Sequence, residues 1–544
     1  MAIYIENNST PEPFKISQKH GFKYKVIGDV KAFKKEDIED IYSYIKTNRL
    51  EKINNYYFEF ILLIEDSEKF YILTDNFGLI KKHYTKVKNN FYFGSFWEVL
   101  RSIENERRVV LNYQNIYDQI HYHRSFDDES IIKNIFSTNS NQLIIFDKLT
   151  YEVKKNNIRK LTYIFENNFS SINDQLDNFD QSLSAQVKFI DKNSEKSEYV
   201  VSLSGGLDSR IIIPYLTKTR KKITAFHIGI SMNKIKTYDA YLVNKLLQNE
   251  NIKFELINPF DSDIDDKVNL DILRNPSPRS NILKTIDIKN FNIFNLNQAY
   301  ISGGHGGAVG GRILDDRFKD IKTKQSLKHY LEEKFLLVDK KFLDWTNFIS
   351  QEYDPLEKEL DLLVENNDFF NIFMHFHKSR HSSQGVFESL LGQLNFYSIY
   401  VPYVWLNSYH WGYTNLKNRE LLIMGIKQLE KKYYKTPTQN SRSISNNSSA
   451  ILLFQKINRK IRKSSIDYNI WWNNKKFDEY KKDIINSDSI FFDLFNKKEI
   501  LEIFSNNTFS QPKENLLKLK LLIEFINDKK YLKYDDNYLK SSKY

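Results

Sequence analysis

Between about Tyr24 and Lys160 the apolar residues come in short β-branched and aromatic runs separated by polar turns. Phe58–Ile64 and Phe70–Thr74 flank the polar stretch Glu65-Asp66-Ser67-Glu68-Lys69, which predicts a hairpin. Further short runs fall at Asp75–Ile80, around Tyr84 and at Phe91–Ser95, so this part is expected to be strands with short connections. The period changes at Ile172. Leu176, Phe179, Leu183, Val187 and Ile190 recur at helical spacing, predicting an amphipathic helix over Ile172–Ile190 with a core-packing face. Buried-type strands are then expected at Tyr199–Ser202, Ile223–Gly229 and Asn251–Ile257, with a helix at Tyr238–Leu247. Strands alternating with helices imply a parallel sheet. Phe318–Ser398 reads as largely helical, and helices are expected again at Glu420–Lys432 and from Ile470 onward.

Two places break this pattern with glycine. The first is Ser204-Gly205-Gly206-Leu207-Asp208-Ser209, which follows the Tyr199 strand and leads into Arg210-Ile211-Ile212-Ile213. Glycines let backbone approach an anion closely, and a following helix start offers unpaired N–H groups and partial positive charge. Asp208 is expected to cap that helix and to offer a carboxylate for Mg²⁺ on a phosphate. Pro214 is expected to kink or shorten the helix. No lysine follows the glycines, so the stretch is not a Walker loop. An ordinary strand-to-helix turn is the plain alternative. The second place is Ile301–Arg312, where six glycines around His305 rule out a helix or an ordinary strand interior.

Composition narrows the chemistry. The chain has no cysteine, which excludes disulfides, thiolate metal sites, thiol nucleophiles and persulfide transfer. The formal charge is +11 from 80 basic and 69 acidic residues. It reads as a solubility effect of a Lys- and Asn-rich composition or as affinity for an anionic partner. No stripe of basic residues interleaved with aromatics points to nucleic acid, and none is expected as a partner. No apolar run has membrane-spanning length and the N-terminus lacks a signal-peptide pattern, so no membrane insertion and a cytoplasmic location are expected. His375, His377 and His381 have spacings that suggest zinc, but no acid stands among them and a structural role is favoured.

The Ser204–Ser209 stretch resembles the pyrophosphate loop of the ATP-pyrophosphatase superfamily, and the chain is most similar within it to the asparagine synthetase and β-lactam synthetase group. The strands over Phe58–Ser95 and the segment from Leu111 to Val153 are similar to the glutaminase domain of asparagine synthetases. The resemblance implies an α/β protein of two domains. Residues 1–170 would form a degenerate Ntn-type αββα sandwich. Residues 171–544 would form an ATP-pyrophosphatase (adenine nucleotide alpha hydrolase-like) parallel-sheet domain with helical additions. Ala2 stands where class II amidotransferases carry their cysteine nucleophile, so no glutaminase activity is expected.

The same resemblance implies ATP and Mg²⁺ as cofactors. The nucleotide would be held by Leu203, Ser204, Gly205, Gly206, Leu207, Asp208 and Ser209, by His227, Ile228 and Gly229 at the end of the next strand, and by Gly303 and Gly304. A packed, structural His227 is the plainer reading. Asp208 would bind the metal, Arg210 would add charge at the phosphates, and Arg442 or Lys435 would reach the pyrophosphate. The second signature departs from the family: Gly304, Gly307 and Ala308 stand where it has acids. His305 is the candidate base, and Asp315-Asp316 are candidate metal ligands. Arg380 is a candidate for the substrate pocket. Tyr400–Trp405 matches the family segment Arg-Val-Pro-Phe-Leu-Asp only in part. The implied activity is an ATP-dependent ligase that adenylates a small-molecule or peptide carboxylate and joins it to an amine, as in peptide tailoring by lasso-peptide cyclases. A precursor peptide or biosynthetic partner protein, and a homodimer, are compatible with it. The alternative is a non-catalytic relative that binds nucleotide or a partner protein.

Overall fold

The computed structural model describes residues 2–4, much of 14–158, nearly all of 171–257, and most of 298–302, 320–335, 395–399 and 420–436, with isolated residues elsewhere. The N-terminal strands are β1 (Ala2–Tyr4), β2 (Lys15–Ser17), β3 (Phe22–Gly28), β4 (Phe60–Glu65), β5 (Lys69–Thr74), β6 (His83–Val87), β7 (Asn90–Gly94), β8 (Phe136–Ser137), β9 (Gln142–Asp147) and β10 (Val153–Asn157). They form a six-stranded sheet ordered β10-β9-β5-β4-β3-β2 and a four-stranded sheet ordered β1-β7-β6-β8. All neighbours are antiparallel except the β1–β7 pair.

The expected hairpin is β4–β5, with Ile64 opposite Tyr71. Its turn is held by Asp66, whose carboxylate accepts the backbone N–H groups of Glu68 and Lys69 and the Tyr42 hydroxyl. β4 is apolar from Phe60 to Ile64 because both faces are covered there. Ile61 and Leu63 pack with Tyr84, Phe91 and Phe93 of the second sheet. Phe60, Leu62 and Ile64 pack with a helix, α1 (Lys35–Lys46), through its Ile38, Ile41, Tyr42 and Ile45. This helix corrects the expectation of strands alone. Its four apolar residues do follow helical spacing, but they lie in a charged stretch that reads as a connection.

The second half is organised by a parallel sheet. Its helices are α2 (Ile172–Asn193), α3 (Leu207–Arg210), α4 (Ile213–Leu216), α5 (Tyr238–Leu246), α6 (Lys324–Phe335), α7 (Glu420–Lys427) and α8 (Lys431–Lys435). Its strands are β11 (Glu198–Ser202), β12 (Lys222–Ile228), β15 (Lys253–Ile257), β16 (Gln298–Ser302) and β17 (Asn395–Ser398), while β13 (Ser231–Met232) and β14 (Ile235–Lys236) make a small separate hairpin. The five strands are all parallel, in the order β15-β12-β11-β16-β17. β17 corrects the helical expectation over Phe318–Ser398. The pairing of Asn395–Ser398 along β16 supplies a ladder that local preference does not specify.

The predicted face of α2 is the one that is buried: Leu176, Phe179, Leu183, Val187 and Ile190 share a core with Tyr199, Val201, Ile211, Val243, Ala299, Ile301, Leu422 and Ile426. At the other end of the sheet, Glu198 joins the three central strands. Its carboxylate accepts from Thr224 Oγ1 of β12 (2.5 Å) and from Gln298 Nε2 of β16 (2.9 Å). The histidines 375, 377 and 381, Arg380, the Tyr400–Trp405 segment and nearly all of the helices expected from Ile470 lie outside the described residues. Among the described residues no helix is long and apolar enough to cross a membrane.

Candidate functional site

The strand order places the site. Counting the five strands along the chain gives 3-2-1-4-5, so the chain winds one way from β11 and the other way from β16. In open parallel sheets, ligands bind in the crevice beyond the carboxyl ends of the strands at such a reversal. β11 and β16 are neighbours, with Val201 opposite Ile301. β11 ends at Ser202 and runs into the Ser204–Ser209 stretch, while β16 ends at Ser302, immediately before the second glycine-rich stretch. Both glycine-rich stretches therefore leave adjacent strands at one level, on either side of the reversal. Gly303, Gly304 and His305 themselves lie outside the described residues, as do Gly229, Asp315, Asp316 and Arg442.

The first loop alternates. Leu203, Gly205, Leu207, Ser209 and Arg210 are buried, whereas Ser204, Gly206 and Asp208 are half-buried. Of the loop residues expected to hold a ligand, these last three form the accessible side. Ser209 turns inward and closes the loop on itself. Its Oγ accepts the Ser204 N–H at 3.0 Å, lies 3.1 Å from Ser204 Oγ and donates to the Ser204 carbonyl at 3.2 Å. The Gly206 N–H donates to Ser204 Oγ at 3.2 Å.

The two glycines differ in what they do. A Cβ on Gly205 would lie 2.7 Å from Asp239 Oδ1 and 2.7 Å from Leu242 Cδ1, both on α5. Gly205 thus has no room for a side chain because a helix packs against it. Gly206 has φ −74° and ψ 175° and is the cap residue of α3. Asp208 is the second residue of that helix rather than its cap, which corrects the sequence expectation. The short helix ends at Arg210, and α4 restarts at Ile213 with Pro214 in its first turn, so the expected shortening is a break into two pieces. A four-residue helix contributes little macrodipole.

The positive charge comes instead from beneath the loop. Arg210 is only 1% exposed. Its guanidinium donates to the carbonyls of Gly205 (2.9 Å), Tyr433 (2.9 Å) and Thr436 (2.5 Å). Burial pulls its pKa down to about 10, which leaves it charged at neutral pH. Arg210 was expected to add charge at the phosphates; in the structure its Nη1 and Nη2 are turned inward onto three backbone carbonyls. His227, on β12, meets the loop from the side. The Leu203 carbonyl can only accept, so Nδ1, 2.7 Å away, carries the proton. Burial lowers the His227 pKa, and the bond to Leu203 offsets this only in part. The ring is a neutral strut to the start of the loop, in line with the packed reading. Ile228 extends β12 and pairs in register with Ile257.

The resemblance brought the stretch from Lys435 to Arg442 to the pyrophosphate but gave no role to Tyr433 or Thr436, whose carbonyls meet Arg210 across more than two hundred residues of chain. Nor did it number Asp239 as a site neighbour. No short-range pattern marks such contacts; the signals in the sequence were the family resemblance of the Lys435–Arg442 stretch and an arginine in an otherwise apolar segment.

No protein-family model matches the sequence, and no curated protein matches it. Among solved structures the chain is similar to the NMN synthetase from Francisella tularensis, with 17% identity over 40% of this chain and 98% of that one, at a TM-score of 0.19. At that score the likeness carries no inference about chemistry.

Proposed function

We propose that this chain is an ATP-dependent carboxylate–amine ligase that forms AMP and pyrophosphate. The observation that supports it best is the position of Ser204–Ser209: a loop resembling the ATP-pyrophosphatase signature lies at the carboxyl end of β11, beside the reversal of strand order. In this reading the β- and γ-phosphates lie against the accessible side of the loop, at Ser204 and the Gly206 N–H, and the adenine lies near the ends of β11 and β12.

Asp208 is a half-buried oxygen donor and suits Mg²⁺, which takes one or two carboxylates and completes its shell with phosphate oxygens and water. Mg²⁺ bound there would neutralise charge on the departing pyrophosphate. A carboxylate oxygen of the substrate attacks the α-phosphorus, and the bond to the bridging oxygen of pyrophosphate breaks. The amine nitrogen then attacks the acyl carbon, AMP leaves, and the amine proton passes to a base, for which His305 is the candidate. Arg442 or Lys435 would add charge at the pyrophosphate. Residues 1–170 would be a scaffold without glutaminase activity, since Ala2 offers no thiol. The amine therefore comes from the second substrate or from free ammonia, and a peptide carboxylate fits best with a tailoring role.

Incubating the protein with Mg-ATP and candidate carboxylate peptides should yield AMP and pyrophosphate in equal amounts, and none with Asp208→Ala. ADP and phosphate would overturn the reading. A second reading, a non-catalytic nucleotide-binding relative, is favoured by Gly304, Gly307 and Ala308 in place of acids. It predicts ATP binding without turnover under every substrate.

A further inference from the structure

Arg210 touches two parts of the chain that sequence keeps far apart. One is the loop, through the Gly205 carbonyl; the other is the end of α8 and the turn after it, through the carbonyls of Tyr433 and Thr436. A trans peptide points its C=O and N–H in opposite directions. Holding the Gly205 carbonyl inward therefore turns the Gly206 N–H of the same peptide outward, to the half-buried side where it now meets Ser204 Oγ. A guanidinium fork can hold three carbonyls at fixed angles, and an ammonium cannot do so in the same plane.

The C-terminal side of this contact is itself anchored. Tyr433 is fully buried and its hydroxyl donates to Glu250 at 2.8 Å, while Thr436 and Thr438 are buried. α7 lies close behind: a Cβ on Gly425 would be 3.2 Å from Ile211 and from Phe179. The turn after α8 thus has a rigid seat, and Arg210 is the side chain that ties it to the loop.

Resting on the reading of the loop as a polyphosphate site, we infer that Arg210 is its positioning residue: it sets the Gly205–Gly206 peptide for an anion and couples the loop to residues 433–436. A pyrophosphate oxygen that takes the place of Ser204 Oγ on the Gly206 N–H brings negative charge, polarises the Gly205–Gly206 peptide and strengthens the bond from Arg210 to the Gly205 carbonyl. Binding should therefore quieten the turn after α8 as well as the loop itself.

The test is hydrogen exchange on the full chain with and without Mg-pyrophosphate, for the wild type and Arg210→Lys, together with Mg-ATP affinity by calorimetry. The expected result is slowed exchange at 203–210 and at 431–436 in the wild type. In Arg210→Lys the affinity should fall about tenfold, as for loss of one charge-assisted hydrogen bond, and the slowing at 431–436 should vanish. Wild-type affinity and wild-type slowing at 431–436 in the variant would overturn the inference and leave the nucleotide reading standing. Absence of any binding by the wild type would overturn that reading, and the inference with it. Should Arg210→Lys fail to fold, the wild-type arm decides alone: pyrophosphate that slows the loop but not 431–436 contradicts the coupling.

Discussion

Gly205 and Gly206 are adjacent and identical in sequence, yet the structure gives them opposite duties. A methyl group on Gly205 meets Asp239 and Leu242 of α5 at 2.7 Å. Gly205→Ala should therefore destabilise the fold by about 1–3 kcal/mol, as overpacked sites do, visible as a lowered calorimetric transition. Gly206 has backbone angles that alanine adopts freely. Gly206→Ala should leave the transition within about 0.5 kcal/mol of the wild type while weakening Mg-ATP binding, because Gly206 belongs to the half-buried, accessible residues of the loop. Equal loss of stability in both variants would contradict this division.

Glu198 allows a pH test at the same scale. Burial alone would raise its carboxyl, but the hydrogen bonds from Thr224 and Gln298, with Lys222 and Lys253 nearby, outweigh burial and hold it below the usual carboxylate range. A lowered folded-state value means that the stabilisation is complete above the unfolded value of 4.5 and is lost as pH falls through the folded one. Glu198→Ala should cost about 1–3 kcal/mol at neutral pH, and the gap to the wild type should narrow in acid. A gap that does not change with pH would contradict the role.

At the scale of elements, what could be read from sequence followed burial pattern. α2 was legible because one face is apolar at helical spacing over 22 residues. β4, β5, β11 and β12 were legible because they are short, largely apolar runs buried on the sheet, and β15, at the sheet edge, because its apolar and charged residues alternate. α1 was hidden by its charges, and β17 by a stretch whose local pattern says helix while its partner β16 lies some hundred residues earlier. The β11–α3 loop was legible as a motif, but not the inward turn of Arg210 or Ser209, which depends on what lies behind the loop. α8 is the element that lies there. Tyr433→Phe removes its bond to Glu250 and should cost about 1 kcal/mol, with faster hydrogen exchange over 431–436. Unchanged exchange there would contradict the anchoring of α8 by Tyr433.

At the scale of the molecule, the buried clusters of the described residues include two N-terminal groups drawn from residues 14–158 and one drawn from residues 176–433. In the second part the strand reversal brings β11 and β16 side by side, with Val201 opposite Ile301. The sheet order was not legible in sequence beyond its first three strands, because β16 and β17 are separated from them by long stretches without a clear strand period. It is this order that makes neighbours of the two strands that lead into the glycine-rich stretches. The central claim is that the site opens ATP between its α- and β-phosphates. ATP–pyrophosphate exchange tests it most directly, with the full chain, Mg-ATP, labelled pyrophosphate and a pool of carboxylate peptides. The account predicts label entering ATP only when a carboxylate is present, and no label with Asp208→Ala. Exchange that is undiminished in Asp208→Ala, or tight ATP binding with no exchange under any carboxylate, would contradict it.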